Sequence, residues 1–197
     1  MLLKYMYGTR SLGITYGGNI IRLPPVPSCR PSLSVSSMQN LFGLYIISDS
    51  SWKTGYTYRG HLVMLLNGAV DWASSLMKVM ASSSEAEIGA GCAAGKRAVY
   101  VRNLMTDALR FVMPDTAVPH IVDNSAVPHL TINLGVSSKT EHFARWQHYM
   151  RYLVTMGYTV VHLVKTCDMH ANALTKVEHK SAFFVFRKLA MNLGGKY

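Results

Sequence analysis

Apolar and polar positions change their spacing several times along the chain. Leu44-Tyr45-Ile46-Ile47 is an unbroken run of strand formers that gives way to Ser48-Asp49-Ser50-Ser51. This predicts a buried strand that stops on an aspartate, with the carboxylate at the end of a sheet. Tyr58 to Leu66 reads as a second strand, Asn67-Gly68 as a hairpin signal, and Ala69 to Trp72 as the returning strand. From Ser84, the positions Ala86, Ala90, Ala93, Ala94, Val101, Leu104 and Leu109 predict one long helix to about Arg110, with Pro114 beyond it. Gly89, Gly91 and Gly95 each weaken that helix by up to about 1 kcal/mol relative to Ala, and are expected to allow its backbone close to the sheet. Val118 to Asp123 is a further short strand ending on an aspartate. Thr140 to Met156 is amphipathic and stops at Gly157; Tyr158 to Val164 is a β-branched strand. Met169 to Lys176 and Ser181 to Leu193 are helical, the second closing before Gly194-Gly195. The order β-β-β-α-β-α-β-α predicts an α/β fold with a mixed sheet covered by helices.

The first part of the chain follows none of these periods. Residues 17–40 hold Gly17-Gly18, Pro24-Pro25, Pro27, Pro31 and a serine cluster, the composition of a linker. The first 48 residues carry no acid while containing Lys4, Arg10, Arg22 and Arg30. Such a segment mimics a mitochondrial presequence; it reads equally as the basic end of a neighbouring domain. The expected boundary of the compact domain is near Leu41. At 197 residues there is room for one ordinary domain and a short appendage.

Charge narrows the partners. Twenty Lys and Arg against ten Asp and Glu give a formal charge of +10, which suits a polyanion, nucleic acid first and an anionic membrane surface second. No apolar run reaches the length of about 18 residues that spans a bilayer. Cys29, Cys92 and Cys167 are odd in number and far apart, so they form no disulfide framework. Cys167 and His170 have the spacing of half a metal site without a second half nearby.

With so few acids, their placement is informative. In Ala81-Ser82-Ser83-Ser84-Glu85-Ala86-Glu87, both Ser82 with Glu85 and Ser84 with Glu87 have the spacing of a helix-capping box. Beside that structural use stands a second one. In a mixed sheet the first strand's end, the long helix's start and the fourth strand's end converge, bringing Asp49, Glu87 and Asp123 to one point. Three carboxylates held together repel unless cations neutralise them, and hard oxygen donors suit Mg²⁺. Two such ions about 4 Å apart activate water and stabilise a leaving oxygen in phosphodiester cleavage.

The motifs also carry a family resemblance. Leu3 to Tyr16, Ser48-Asp49-Ser50-Ser51-Trp52, Asn67 to Trp72, the Ser82–Glu87 stretch, Val122-Asp123-Asn124-Ser125-Ala126, Thr140-Glu141-His142 with His148, and Ala171-Asn172-Ala173-Leu174-Thr175-Lys176 follow one another in order. This series resembles the ribonuclease H domain of copia-type LTR retrotransposon Pol polyproteins, preceded by the last segment of the reverse transcriptase. The resemblance implies a ribonuclease H-like, five-stranded mixed sheet covered by helices. It divides the chain into a reverse-transcriptase remnant with linker at 1–40, a ribonuclease H-like domain at 41–178 and a helical tail at 179–197. It implies cleavage of the RNA strand of RNA–DNA hybrids with two Mg²⁺ ions, Mn²⁺ being an alternative. Asp49, Glu87 and Asp123 fall on three of the family's four catalytic, metal-binding carboxylates, and Asn172 falls on the fourth. Glu85 is then left as the helix-start carboxylate.

The departures from the family pattern set a second expectation. Asn172 offers one neutral oxygen where the family has an acid, Ser125 follows Asp-Asn directly, and the stretch from Trp72 to Glu87 is one residue short. Asp168 is the nearest acid that could substitute, one helical turn away. The alternative to an active nuclease is therefore a catalytically inactive ribonuclease H-like module that binds nucleic acid, in association with reverse transcriptase or a ribonucleoprotein. His170 is a candidate for aiding product release, and Arg145, Trp146, Tyr149 and Arg151 for a nucleic-acid surface or an ordinary inward-turned helix face. A cytoplasmic or nuclear location is expected, with a mitochondrial one as the alternative raised by the acid-free start.

Overall fold

Polar residues do not end the first strand. In the computed structural model, which describes residues 11–16, 43–53, 56–108, 117–133 and 140–193, β1 runs from Tyr45 to Lys53 and passes straight through Asp49. β2 (Tyr56–Leu65) pairs with it antiparallel along its whole length, Asp49 facing Gly60 and Lys53 facing Tyr56. That continuous ladder satisfies the backbone of the Ser48–Ser51 stretch, so β1 extends beyond the predicted end.

Leu65 pairs with Gly68, so the two turn residues are Leu66 and Asn67, both with positive φ (50° and 65°). This is a one-residue shift from the Asn67-Gly68 signal, in the two-residue turn geometry that matches strand twist. Gly68 has a different use: a Cβ there would lie 2.8 Å from the Thr15 carbonyl oxygen and the Tyr16 ring. Tyr16 also donates its hydroxyl to the Ala69 carbonyl at 3.0 Å. β3 (Gly68–Met77) is longer than predicted and carries a bulge opposite Val63 and Met64.

β4 (Val118–Val122) pairs parallel with β1, and β5 (Thr159–Leu163) pairs parallel with β4. The five-stranded order is β3-β2-β1-β4-β5. Ile46 and Ile47 of β1 face His120 and Ile121 of β4. β4 then stops at Val122 while β1 continues, and Asp49 lies where the two part.

One face of the sheet is covered by α1 (Ser83–Asn103), which runs into a π-helical turn at Leu104–Ala108. Ile46, Val63, Ala94, Ala98 and Val101 form the core between them. Across α1 lies α3 (Ala144–Thr155), entered through a 3₁₀ turn at Glu141–Phe143. The glycines of α1 serve this helix pair more than the sheet. A Cβ on Gly95 would meet Leu153 Cδ1 at 2.4 Å, one on Gly89 the Trp146 ring at 3.2 Å, and one on Gly91 both Met150 and His120. Gly157, with φ +71°, follows α3 and turns the chain into β5.

The opposite face is covered by two pieces. α4 (Asn172–Thr175), after a 3₁₀ turn at Thr166–Asp168, sits on β1 and β2; α5 (Lys180–Met191) packs on β3. Ile47, Leu62, Met64, Ala171 and Ala190 make the core there. The Met191 carbonyl accepts from Thr15 N–H at 3.0 Å, tying residues 11–16 to the end of α5. One further helix, α2 (Ala126–Ile132), was not expected; its Pro128 sits in the first turn, where a missing N–H costs nothing. No helix among the described residues is long and apolar enough to cross a membrane. Residues 1–10 of the reverse-transcriptase-like motif, the 17–40 linker, Cys29, Pro114, the predicted helix end near Arg110 and Gly194-Gly195 lie outside the described residues.

Candidate metal centre

Three elements aim the acids. Asp49 comes from the middle of β1, Glu87 from the first turns of α1, and Asp123 from the residue after β4. Ser82 caps α1, its hydroxyl accepting from Glu85 N–H at 3.1 Å, and Glu85 returns a carboxylate oxygen to Ala81 N–H at 2.6 Å. His142 adds a contact to the same Glu85 oxygen at 3.6 Å. Of the two capping spacings, the Ser82–Glu85 one is used, and Glu87 is left to face the sheet. After Asp123, the Asn124 side chain accepts from Ala126 N–H at 2.9 Å, a turn that fixes the exit from β4.

Asp49, Glu87 and Asp123 each offer one carboxylate oxygen, and these atoms lie within 4.8 Å of one another. They border a polar cleft of about 340 Å³, shared with Ser50, Asn124, Ser125, Thr166 and Lys176. Asp49 and Glu87 are buried, only 3% and 7% exposed, while Asp123 is half-exposed. Among the described residues no other set of three acids, histidines or cysteines gathers in this way.

The arrangement is electrostatically unrelieved. Burial raises the Glu87 carboxyl to about 8, with Asp49 and then Asp123 adding to the rise and Ser50 opposing it. Burial also raises Asp49, offset by the Thr175 hydroxyl and the Lys176 charge. Glu87 Oε2 is buried without a hydrogen-bond partner, a state that typically costs about 1–3 kcal/mol. Hard, converging, under-satisfied carboxylate oxygens fit a divalent cation.

Comparison with known proteins bears on the fold and on what the chain is similar to. No protein-family profile matches the chain. Over 150 residues, 73% of the chain, it is 29% identical to the retrovirus-related Pol polyprotein from transposon RE1 of Arabidopsis thaliana. The chain spans about 10% of that polyprotein's length. The fold is similar to ribonuclease H1 from the halophilic archaeon Halobacterium salinarum, with a TM-score of 0.51 at 16% identity, covering 66% of this chain and 92% of that one. It is similar also to the N-terminal ribonuclease H domain of Rv2228c from Mycobacterium tuberculosis, solved as a fusion with maltose-binding protein. There the TM-score is 0.52 at 12% identity, covering 74% of this chain and 96% of that one.

The chain has a ribonuclease H-like fold and is similar over 73% of its length to part of a retrotransposon Pol polyprotein.

Within this ribonuclease H-like domain, Asn172 is the sequence-predicted residue that stands apart from the triad. It is buried, its amide donates to the Thr166 carbonyl at 3.3 Å, and its Oδ1 has no hydrogen-bond partner. Thr166 lines the cleft, so Asn172 stands one contact behind its wall. Asp168 does not substitute: it is exposed on the 3₁₀ turn and neither joins the carboxylate cluster nor lines the cleft. Cys167 is exposed, and with His170 it belongs to no metal-ligand group among the described residues.

Local sequence pattern assigns no role to two residues of the site, Thr175 and Lys176. Thr175 donates its hydroxyl proton to Asp49 Oδ2, with the Asn172 carbonyl a second acceptor within reach at 3.2 Å. Lys176 brings a positive charge to the cleft rim. Their signal was their place in the Ala171–Lys176 segment; nothing in the local pattern tied them to β1. The Trp146 surface resolves toward packing, with the ring over Gly89 and Arg151 buried and donating to the Asn133 carbonyl. Arg145 stays exposed.

Proposed function

We propose that this domain hydrolyses the RNA strand of RNA–DNA hybrids, with Asp49, Glu87 and Asp123 as the ligands of two Mg²⁺ ions that Mn²⁺ can replace. The observation that carries the reading is the convergence of three carboxylate oxygens within 4.8 Å in a polar cleft of a ribonuclease H-like fold. Bound there, divalent cations supply activation of water and charge stabilisation of the leaving oxygen.

The chain's own residues prepare that chemistry. Asp49 lies on β1 and Asp123 just past the end of β4, where the two strands part at the cleft, and the capped start of α1 brings Glu87 to them. Glu87 takes a proton when no cation is near, since burial beside Asp49 disfavours its charge. Asn172 stands where the resemblance calls for an acid, so the fourth negative charge is missing and the hold on a second ion is weaker. The formal charge of +10 favours approach of a polyanion toward this locally negative cleft.

Incubating the purified protein with a labelled RNA–DNA hybrid and Mg²⁺ tests the proposal. Cleavage of the RNA strand, lost in Asp49→Asn, is the expected result; cleavage no greater than that of Asp49→Asn overturns it.

Asn172 also favours a second reading, a catalytically inactive module that binds hybrid or RNA, alone or with reverse transcriptase or a ribonucleoprotein. Salt-dependent hybrid binding without cleavage distinguishes it. Since the chain matches about a tenth of the Pol polyprotein, the activities of the remaining polyprotein are not assigned to it.

A further inference from the structure

We propose that α4 is a positioning device for Asp49, with Thr175 holding one carboxylate oxygen and Gly60 providing the seat that lets Thr175 reach it. The role rests on reading Asp49 as a cation ligand.

Two contacts with the sheet place this four-residue helix. In the β1–β2 register Gly60 is the partner of Asp49. A Cβ on Gly60 would lie 2.6 Å from Leu174 Cβ, 3.0 Å from Thr175 Cγ2 and 3.3 Å from the Ala171 carbonyl oxygen. The gap left by the missing side chain is therefore filled by α4 itself, directly beside the acid. Ser74 of β3 then donates its hydroxyl to the Leu174 carbonyl at 2.5 Å, pinning the helix from the sheet's edge. A helix this short has no stability of its own, so these contacts decide where it lies.

Thr175 uses that placement. Its hydroxyl, buried with Asp49, donates to Asp49 Oδ2 and is shared with the Asn172 carbonyl. A carboxylate with one oxygen so engaged loses rotational freedom within the cluster it forms with Glu87 and Asp123. Ordering the ligand before the cation arrives removes part of the cost of binding. Thr175 touches neither substrate nor reacting atoms; it acts through Asp49.

The test separates the hydroxyl from the shape. Thr175→Val keeps the branched side chain and removes the donor; Thr175→Ser keeps the donor and removes the methyl group. Mn²⁺ affinity is read by electron paramagnetic resonance on the full chain without nucleic acid, alongside hybrid cleavage and circular dichroism. The expected result is a loss of Mn²⁺ affinity of about five-fold in Thr175→Val, on the scale of one ordered side chain, and near wild-type affinity in Thr175→Ser. Gly60→Ala, which displaces α4, weakens Mn²⁺ binding as Thr175→Val does. The opposite order, Ser weaker than Val, or no change in either Thr175→Val or Gly60→Ala, overturns the proposal. A wild-type chain that binds Mn²⁺ with the expected order of variants yet cleaves no hybrid overturns the nuclease reading and leaves the positioning role standing. A wild-type chain that binds no Mn²⁺ overturns both.

Discussion

Glu87 lies against Asp49 in the cleft with its own Oε2 buried and unpartnered, and its carboxyl is raised to about 8. Because the folded value exceeds the ordinary carboxyl range, Glu87 favours folding below about pH 4.5 and progressively less as pH rises toward 8. A divalent cation must displace that proton, so its affinity rises over the same window. Thermal melts with and without Mg²⁺ should show a larger stabilisation by the ion at pH 8.5 than at pH 6. Glu87→Gln should flatten the difference.

Removing a carboxylate should help the fold while harming the chemistry. Glu87→Gln removes the cost of taking up a proton on folding at neutral pH, and Asp49→Asn removes a buried charge; each is expected to raise stability without cation by about 1 kcal/mol. The same variants should lower hybrid cleavage at least about a hundred-fold, the scale of losing a main electrostatic contribution at an active site. Denaturant titration and cleavage assays on the same preparations check both signs.

Asn172→Asp restores the acid that the resemblance calls for. A fourth negative charge behind the cleft should lower stability in the absence of metal and raise Mg²⁺ affinity. On the two-ion reading, cleavage should increase by about ten-fold, equivalent to about 1.4 kcal/mol. Calorimetric titration with Mg²⁺ and single-turnover cleavage give the two readouts.

Under α1 and on the other sheet face, His120 and His162 are buried and neutral, held by burial at about 3 and about 4. His120 meets the Ser48 hydroxyl at 2.7 Å. Both values lie below the ordinary 6.5, so these residues support the fold above that pH and withdraw support as pH falls toward 4 and 3. Unfolding by acid should begin near pH 6. His162→Gln should shift the acid limb of a circular-dichroism titration to lower pH.

Gly95→Ala sets two effects against each other. Alanine favours a helix by up to about 1 kcal/mol, but its Cβ would stand 2.4 Å from Leu153 Cδ1, which is buried. Overpacking of a filled core costs about 1–3 kcal/mol, so the net expectation is destabilisation. Chemical denaturation should show a lower midpoint with little change in slope.

The succession of strands and main helices and the convergence of Asp49, Glu87 and Asp123 were legible because apolar runs, small-residue spacing and rare acids each had a distinct local pattern. The ladder that carries β1 past Asp49 was not legible, since its cause lies in β2 rather than in Ser48–Ser51. The one-residue shift of the hairpin turn has the same origin: Gly68 answers to Tyr16, a contact invisible to local sequence. α2 was hidden by Pro128, which reads as a breaker unless the first turn is already located. Thr175 was the least legible, for its partner lies far away along the chain.

That distance has a bearing on how the molecule is made. Thr175 and Asp49 are 126 residues apart, so their contact belongs to the class that forms late and slows folding. During synthesis β1, α1 and β4 leave the ribosome before α4 does, so the three acids are made before the residue that holds Asp49. The centre is complete only after the α4 turn has closed over Gly60, which makes the last-made layer of the sheet the one that finishes the site.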